Sequence, residues 1–198
     1  MSMRMLAVLL FATNNCIAEP WPEVTLHHDP RSVAPDVATP SQIVEAMLTM
    51  AGVGPADVVI DLGSGDGRIV IAAVKQFGAK RALGVEINEK SVAYARAKAA
   101  EAGIADRAQF EAQDLFTTDV AAATVVTVYL FPKIMPRLRD KLLRELKPGT
   151  RVVSHDFPFP GWHIDQVARF RALEKVSAIG EGESVLYLYT VPERVQRP

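Results

Sequence analysis

The chain has few of the features that define disulfide-bonded, membrane-spanning or nucleic-acid-binding proteins. Its 198 residues include one cysteine, Cys16, so no disulfide can form within the chain. The 22 Lys and Arg residues almost balance the 23 Asp and Glu residues, and no basic excess suggests a nucleic-acid partner. No apolar run approaches the roughly 20 residues that cross a bilayer. We therefore expect neither a nucleic-acid partner nor an integral transmembrane span.

The first 18 residues differ in composition from the rest of the chain. Arg4 precedes a short apolar run from Met5 to Ala12, and small residues lead up to Ala18. This order is typical of a secretory signal peptide cleaved after Ala18, which would leave a mature chain without cysteine. The segment predicts an exported, periplasmic or membrane-associated protein. A loosely packed extension, a later start codon or an uncleaved membrane-docking segment would leave the protein in the cytoplasm.

Residues 19–39 are rich in Pro, His and Asp and lack periodicity, which predicts an extended lead-in. His27, His28 and Asp29 are the only suggestive metal ligands, and a solvated extension explains them better, so no metal site is predicted. The remaining residues, 40–198, have the length of one globular domain.

Apolar strands alternate with amphipathic helices through most of this domain. A helical stripe follows Pro40, and further helices are expected after three of the strands, one of them capped by Asn88. The strands are predicted at Asp57–Leu62, Ala82–Ile87, Ala108–Ala112, Thr124–Phe131 and Arg151–His155. Such alternation predicts an α/β fold in which a parallel sheet carries helices on both faces.

The last part of the chain breaks this alternation. Phe170–Ile179 and Glu183–Val191 have strand composition, and only Gly180, Glu181 and Gly182 separate them. A link of three residues cannot hold a crossover helix, so the two strands should pair as an antiparallel hairpin. The complete prediction is a seven-stranded, mostly parallel sheet.

A glycine-rich loop follows the first predicted strand. Asp61 ends the strand, and Gly63, Gly65 and Gly67 let the backbone approach a ligand closely. A dinucleotide site would place a small residue three positions after Gly65, where this chain has Arg68. The Asp61 carboxylate would also repel a pyrophosphate, whereas it would attract an amino group. The loop therefore favours a nucleoside ligand with a positively charged group, such as an amino group, over a dinucleotide.

Two further acids follow the second and third strands. Glu86 suits the two hydroxyls of a ribose, Ile87 can lie against an adenine ring, and Asp114 can accept a hydrogen bond from the adenine amino group. Each residue alone has an ordinary alternative: a tight turn, a charge at a helix start, or a cap. Three acids after three successive strands together predict one nucleoside site.

The segments VVIDLGSGDGRIV, GVEIN and ELKPGTRVVS resemble the first motif, the second acidic motif and the entry to the fifth strand of class I S-adenosylmethionine-dependent methyltransferases. The resemblance covers about residues 40–191. It implies a Rossmann-like seven-stranded sheet, S-adenosylmethionine as cofactor, and a cofactor site formed by Asp61, Gly63, Ser64, Gly65, Gly67, Glu86, Ile87, Asp114 and Leu115.

A narrower resemblance rests on DLGSGDGRIV, VYLFP and HDFPFPGW. These segments are similar to small protein-lysine methyltransferases that act on the ATP synthase c-subunit and the adenine nucleotide translocase, and to their bacterial relatives. The resemblance implies a protein substrate, which includes membrane-associated proteins. Those relatives carry a segment like YVPTP before the first helix, whereas residues 36–40 here read DVATP.

Candidate catalytic residues lie after the fourth and fifth strands. Tyr129 can direct its hydroxyl at the acceptor or hold a lysine stem against its ring. The alternative is that these strand aromatics belong to the core, which fits Phe131 slightly better than Tyr129. His155 and Asp156 can form an acid–base pair, or they can be a loop histidine and a turn acid. The segment from Phe157 to Trp162 is expected to be an exposed apolar loop that binds a partner, or else to cover the sheet.

Three functions remain open from the sequence. The leading prediction is protein-lysine N-methylation. A small-molecule methyltransferase would have the same cofactor site and would also lack an inserted substrate domain. A module that binds the nucleoside without turnover would keep the pocket alone.

Overall fold

The computed structural model of the protein describes residues 38–171 and 182–193. The signal-like segment, the lead-in up to residue 37 and most of the predicted strand Phe170–Ile179 lie outside the described residues. The predicted division of the chain at residues 18 and 39 therefore stays a prediction.

The described part contains seven strands and four α-helices in the predicted alternating order. The strands are β1 (Val58–Leu62), β2 (Arg81–Glu86), β3 (Ala108–Ala112), β4 (Val125–Val128), β5 (Arg151–His155), β6 (Gln166–Arg171) and β7 (Glu183–Thr190). The helices are α1 (Ser41–Met50), α2 (Arg68–Lys75), α3 (Glu89–Glu101) and α4 (Met135–Glu145), the last preceded by a short 3₁₀ turn, Pro132–Ile134.

All seven strands form one sheet in the order β3-β2-β1-β4-β5-β7-β6. The first five strands are parallel, and β7 pairs antiparallel with both β5 and β6. The predicted antiparallel pairing at the C-terminus is confirmed. The strand order reverses at β1: β2 and β3 lie on one side of it, and β4 and β5 lie on the other. Ligands bind at such a switch point in open α/β sheets.

Successive residues of the central strands point to opposite faces of the sheet. Val59 belongs to a core cluster that also contains residues of α1, α2 and α3, whereas its neighbour Ile60 belongs to a second cluster with residues of α4. Val125 and Val126 divide between the two clusters in the same way. Helices therefore cover both faces, as the sequence predicts.

Local sequence explains where α3 and α4 begin. The Asn88 side chain accepts hydrogen bonds from the backbone N–H groups of Lys90 (3.0 Å) and Ser91 (3.3 Å), so the predicted cap of α3 is present. Before α4, Pro132 opens the 3₁₀ turn with a ring that lacks an N–H group.

Two described strand boundaries differ from the prediction by more than one residue. The strand predicted over Thr124–Phe131 stops at Val128, because the chain leaves the sheet before Pro132. Strand β6 begins at Gln166, four residues before the predicted start. Among the described strands it pairs with β7 alone, at the sheet edge, so half of its residues are polar, most are exposed, and the hydrophobic signal is weak.

Candidate active site

The loop between β1 and α2 is shaped by its three glycines. Gly63, Gly65 and Gly67 have φ values of 83°, 51° and 83°, a left-handed region that other residues adopt at a cost. The N–H groups of Gly63 and Ser64 donate to the carbonyl oxygen of Val85 at 2.8 and 3.0 Å. These bonds hold the loop against the end of β2, above the carboxyl ends of the parallel strands.

Gly67 has a second reason to be glycine. A Cβ at this position would lie 2.6 Å from the Phe110 ring and 2.8 Å from the Cβ of Ala95. The first turn of α2 can therefore pack closely against β3 and α3 only without a side chain here. Ser64 is buried, and its hydroxyl has no hydrogen-bond partner among the described residues.

Asp61 is a buried carboxyl at the end of β1. Thr127 on the neighbouring strand β4 donates its hydroxyl to Asp61 Oδ1 at 2.7 Å. The pKa of Asp61 is raised to about 7: burial raises it most, the Thr127 hydrogen bond lowers it, and the nearby charges of Asp66 and Glu86 raise it. The charged form of this carboxyl is thus poorly stabilised by the protein itself, and it suits a cationic ligand.

Glu86 is held at the end of β2 by two backbone donors. Its Oε2 accepts from the N–H of Gly65 at 3.1 Å, and its Oε1 accepts from the N–H of Asn88 at 2.9 Å. Each carboxylate oxygen has a further lone pair with which it can accept from a ligand hydroxyl. Through its bonds to Gly65 and Asn88, the Glu86 side chain also connects the glycine loop to the start of α3.

The third acid lies in a turn after β3. Asp114 is exposed, and its Oδ1 accepts from the N–H of Phe116 at 2.8 Å. Its neighbour Leu115 is buried in the second core cluster, and Ile87 is half-buried after β2. The loops after β1, β2 and β3, which carry the predicted cofactor residues, lie at the same edge of the sheet.

Arg68 has a role at this edge that the sequence did not reveal. Its guanidinium pairs with Asp66 at 2.6 Å between Nη2 and Oδ2, and both residues are largely shielded from solvent. Its Nη1 donates to the carbonyl oxygen of Thr39, two residues before the start of α1, at 2.8 Å. The spacing Asp66-Gly67-Arg68 is a local signal for the ion pair, whereas nothing in the sequence indicates the contact with Thr39.

Aromatic rings meet at the ends of β4 and β5. The ring centroids of Tyr129 and His155 are 4.1 Å apart, and the Phe157 ring is stacked 6.3 Å from that of Tyr129. The His155 side chain is fully buried and its Nε2 lies 2.9 Å from the Ser184 hydroxyl, while Tyr129 is 9% exposed. Phe131 is 36% exposed, so its expected place in the core is wrong.

Asp156 has a strained backbone at the end of β5. Its φ of 60° makes it the one non-glycine residue with a left-handed backbone in the described part of the chain. Its N–H donates to the carbonyl of Val185 at 2.7 Å, and its Oδ1 accepts from the Val185 N–H at 3.0 Å. Its Oδ2 lies 3.5 Å from Nε2 of His155. The predicted His155–Asp156 neighbours are close in space, and Asp156 is also tied to β7.

The loop from Phe157 to Trp162 is not the exposed apolar surface that the sequence first suggests. Phe159 and Trp162 are 2% and 8% exposed and pack with Tyr189 on the α4 face of the sheet. The Tyr189 hydroxyl accepts from the Phe159 N–H at 2.9 Å. The loop covers the sheet, which was the second interpretation of this segment, and only Pro158, Pro160 and Gly161 are exposed.

The charges at the site fit the cofactor predicted from the sequence. Asp61 and Glu86 lie at adjacent strand ends, and Asp66 beside them is paired with Arg68. A pyrophosphate would be repelled by the acidic groups at these strand ends, whereas a ligand ammonium would stabilise the ionised form of Asp61. Residues 38–171 and 182–193 contain no group of three or more potential metal ligands that could hold a metal ion.

The sequence profile of the ANTKMT methyltransferase domain matches residues 61–166, more than half of the chain. The chain belongs to this methyltransferase family. The methyltransferase is 42% identical to a protein-lysine N-methyltransferase of Saccharolobus islandicus over 159 residues, which are 80% of this chain and 94% of the archaeal protein. It is 37% identical to the mouse adenine nucleotide translocase lysine N-methyltransferase and spans 65% of that longer protein.

A solved structure agrees with this assignment. The methyltransferase is 44% identical to an RNA methyltransferase of Salinibacter ruber solved with S-adenosyl-L-homocysteine, with a TM-score of 0.72 and coverage of 82% of this chain and 98% of that one. The methyltransferase thus has the class I fold and uses S-adenosylmethionine. Of the three functions that the sequence left open, the module without turnover is set aside.

Proposed function

We propose that the protein is a protein-lysine N-methyltransferase. The observation that carries the proposal is the 42% identity to an archaeal protein of that name, because the match extends over 94% of that protein. The chain spans 65% of the mouse adenine nucleotide translocase methyltransferase and 48% of a mouse ATP synthase lysine N-methyltransferase. The named substrates of those longer proteins are therefore weaker evidence for the substrate of this chain.

We assign the donor side of the site to the residues at the ends of β1, β2 and β3. Asp61 pairs with the ammonium of the methionine moiety, Glu86 accepts from the ribose hydroxyls, and Asp114 accepts from the adenine amino group, with Ile87 against the ring. Backbone of the glycine loop approaches the ligand closely. The proposed donor site consists of Asp61, Gly63, Ser64, Gly65, Gly67, Glu86, Ile87, Asp114 and Leu115.

We place the acceptor beside Tyr129 and Phe157. Their stacked rings offer apolar faces that can hold the aliphatic stem of a lysine, while the charged end reaches the donor. A neutral lysine amine attacks the methyl carbon of the cofactor, the carbon–sulfur bond breaks, and the proton of the new ammonium passes to water. Such an in-line transfer needs positioning more than it needs a protein base, and alignment can supply about 7–11 kcal/mol of the barrier.

Labelled methyl groups test the acceptor class. Purified protein is incubated with methyl-labelled S-adenosylmethionine and an extract of the source organism from which the gene for this protein has been deleted. The label is then followed into protein, RNA, lipid and small molecules. The proposal predicts label in protein that acid hydrolysis releases as N-methyl-lysine. A Glu86→Ala variant serves as the inactive control.

RNA is the acceptor that this experiment must discriminate most carefully. The structural relative at 44% identity is described as an RNA methyltransferase, although the near-neutral charge of this chain provides no general attraction to phosphate. Label that resists protease and disappears with ribonuclease would overturn the proposal. Label confined to small molecules would overturn the proposal and would identify a small-molecule methyltransferase instead.

We further propose that residues 1–18 direct the protein to the membrane or across it, with a membrane-associated protein as substrate. The signal-like composition around Arg4 and Ala18 supports this proposal. In the described residues no helix is long and apolar enough to cross a membrane. Mass spectrometry of the mature N-terminus tests the cleavage, and fractionation of cells tests the location; an intact Met1 in a freely soluble fraction would contradict both.

A further inference from the structure

A continuous set of contacts connects the donor loop with the aromatic rings on the acceptor side. It begins with the Asp66–Arg68 ion pair in the glycine loop, and Arg68 donates to the Thr39 carbonyl oxygen at 2.8 Å. The hydroxyl of the same threonine lies 3.4 Å from Nδ1 of His155. The Tyr129 ring packs 4.1 Å from the His155 ring. In this set of contacts Thr39 is the residue through which the two sides meet.

The His155 ring is built into this connection and has no access to solvent. Its side chain is 0% exposed; the Thr39 hydroxyl lies at Nδ1, and the Ser184 hydroxyl (2.9 Å) and Asp156 Oδ2 (3.5 Å) both lie at Nε2. A hydroxyl can both donate and accept, so the Thr39 and Ser184 hydroxyls can pair with the neutral imidazole in either tautomer. A fully buried ring in such a setting is poorly placed to take a proton from a substrate amine and well placed to fix its neighbours.

We propose that Thr39 mechanically couples the donor loop to the acceptor side, and that His155 is a positioning residue which holds Thr39 and the Tyr129 ring in register. Occupation of the donor loop fixes Asp66 and Arg68, Arg68 fixes the Thr39 carbonyl, and the Thr39 hydroxyl fixes His155. Preorganised supporting side chains of this kind matter because small displacements of reacting groups reduce the rate strongly. This inference assumes only that the protein is a methyltransferase that binds the donor, and it holds for any acceptor.

The closest ordinary explanation is that Thr39 merely packs the start of α1. Packing alone and coupling differ in one respect: only coupling transmits an event at the donor loop to the His155 ring. The observable is therefore the imidazole NMR signal of His155 with and without S-adenosylhomocysteine, which lacks the sulfonium charge. The chain has four histidines, so the signal is assigned by its loss in a His155→Asn variant.

Four variants separate these explanations. Thr39→Val keeps the shape and the carbonyl but removes the hydroxyl, and Thr39→Ser restores the hydroxyl. Arg68→Lys can pair with Asp66 but lacks the planar fork that reaches the Thr39 carbonyl at the same time. Thr150→Val is the matched control, because Thr150 is also buried and its hydroxyl donates to the Ala123 carbonyl at 3.3 Å, at the opposite end of β5.

We expect S-adenosylhomocysteine to move the His155 signal in the wild type, in Thr39→Ser and in Thr150→Val. The movement should be lost in Thr39→Val and Arg68→Lys, and calorimetry should show about 2- to 10-fold weaker binding in Thr39→Val, the fold-change that one hydrogen bond represents. Melting temperatures verify that each variant is folded.

Two results would overturn the proposal. If the ligand moves the His155 signal equally in Thr39→Val and in the wild type, the two sides are not coupled through Thr39. If Thr150→Val loses the movement together with Thr39→Val, the effect reflects general loosening of the fold. Neither result depends on whether the acceptor is a protein lysine, so this test and the test of the proposed function fail separately.

Discussion

The ionised form of the buried Asp61 carboxyl is unfavourable in the free protein, and a cationic ligand makes it favourable. With a pKa of about 7, it is mostly protonated at pH 6 in the free protein. A ligand ammonium stabilises the ionised form, so binding of S-adenosylhomocysteine at pH 6 should release close to one proton. Calorimetry in two buffers of different ionisation enthalpy measures this release. Asp61→Asn should release none, and equal release by both proteins would contradict the assigned role.

The same pKa predicts a stability change with pH. Because the folded-state pKa lies above the unfolded value of 3.8, the folded chain binds this proton more tightly, and its contribution to stability is present at low pH and lost as pH rises towards 7. Between pH 5 and pH 8 the wild type should lose on the order of 2 kcal/mol more than Asp61→Asn. Urea unfolding at both pH values checks the difference, and parallel pH curves would contradict it.

Asp156 tests whether the chemistry needs a protein base. Asparagine also tolerates a left-handed backbone and keeps an oxygen that can accept from the Val185 N–H, so Asp156→Asn should retain kcat within about threefold and fold normally. Asp156→Ala should cost about 1 kcal/mol of unfolding free energy. A loss of 100-fold or more in labelled-methyl transfer by Asp156→Asn would instead support the proton-transfer role that its place beside His155 suggested.

At this scale the sequence indicated the positions of Asp61 and Glu86 because both end strands of a parallel sheet, and such ends share one edge. It did not indicate Thr127 or Thr39, because these partners lie 66 and 116 residues from Asp61 and His155 along the chain. Long-range hydrogen bonds depend on strand order and register. Neither can be deduced from a single sequence before the fold is known.

Among the elements, the contact between β2 and β3 leaves no room beside Gly84. A Cβ there would lie 2.5 Å from the Phe110 ring and 2.7 Å from the Ser64 hydroxyl. Gly84→Ala should therefore cost about 1–3 kcal/mol of unfolding free energy, part of which Phe110→Leu in the same chain should restore. Urea unfolding measures both. Gly54→Ala is the control, because nothing lies within 4 Å of the new atom, and an equal loss there would contradict the steric explanation.

Element boundaries were harder to predict than element types. The run from Thr124 to Phe131 has continuous strand composition, yet Tyr129 and Phe131 lie beyond the strand, where Tyr129 meets His155 and Phe131 is exposed. Composition alone cannot separate the apolar residues of a strand from those that line a site just past its end. The burial of Phe159 and Trp162 was equally hard to predict, because it depends on their packing against Tyr189 in the core cluster that α4 also joins.

For the molecule as a whole, ligand binding should appear as added stability. S-adenosylhomocysteine at about 100 times its Kd should add about 2.7 kcal/mol and raise the melting temperature by roughly 5–10 °C. Hydrogen exchange should slow mainly in the loops after β1 and β2. NAD, whose pyrophosphate would meet Asp61, serves as the negative control, and an equal shift with NAD would contradict the charge argument.

The position of β7 has a consequence for how the chain is made. The ribosome completes β5 and β6 before it reaches Glu183, yet in the finished sheet those two strands touch only through β7. Among the described strands, β6 has no partner during synthesis, and one edge of β5 stays open, until β7 arrives. A nascent chain stalled or truncated before residue 183 therefore exposes unpaired backbone for aggregation or for quality-control proteases, however well its donor loop has formed.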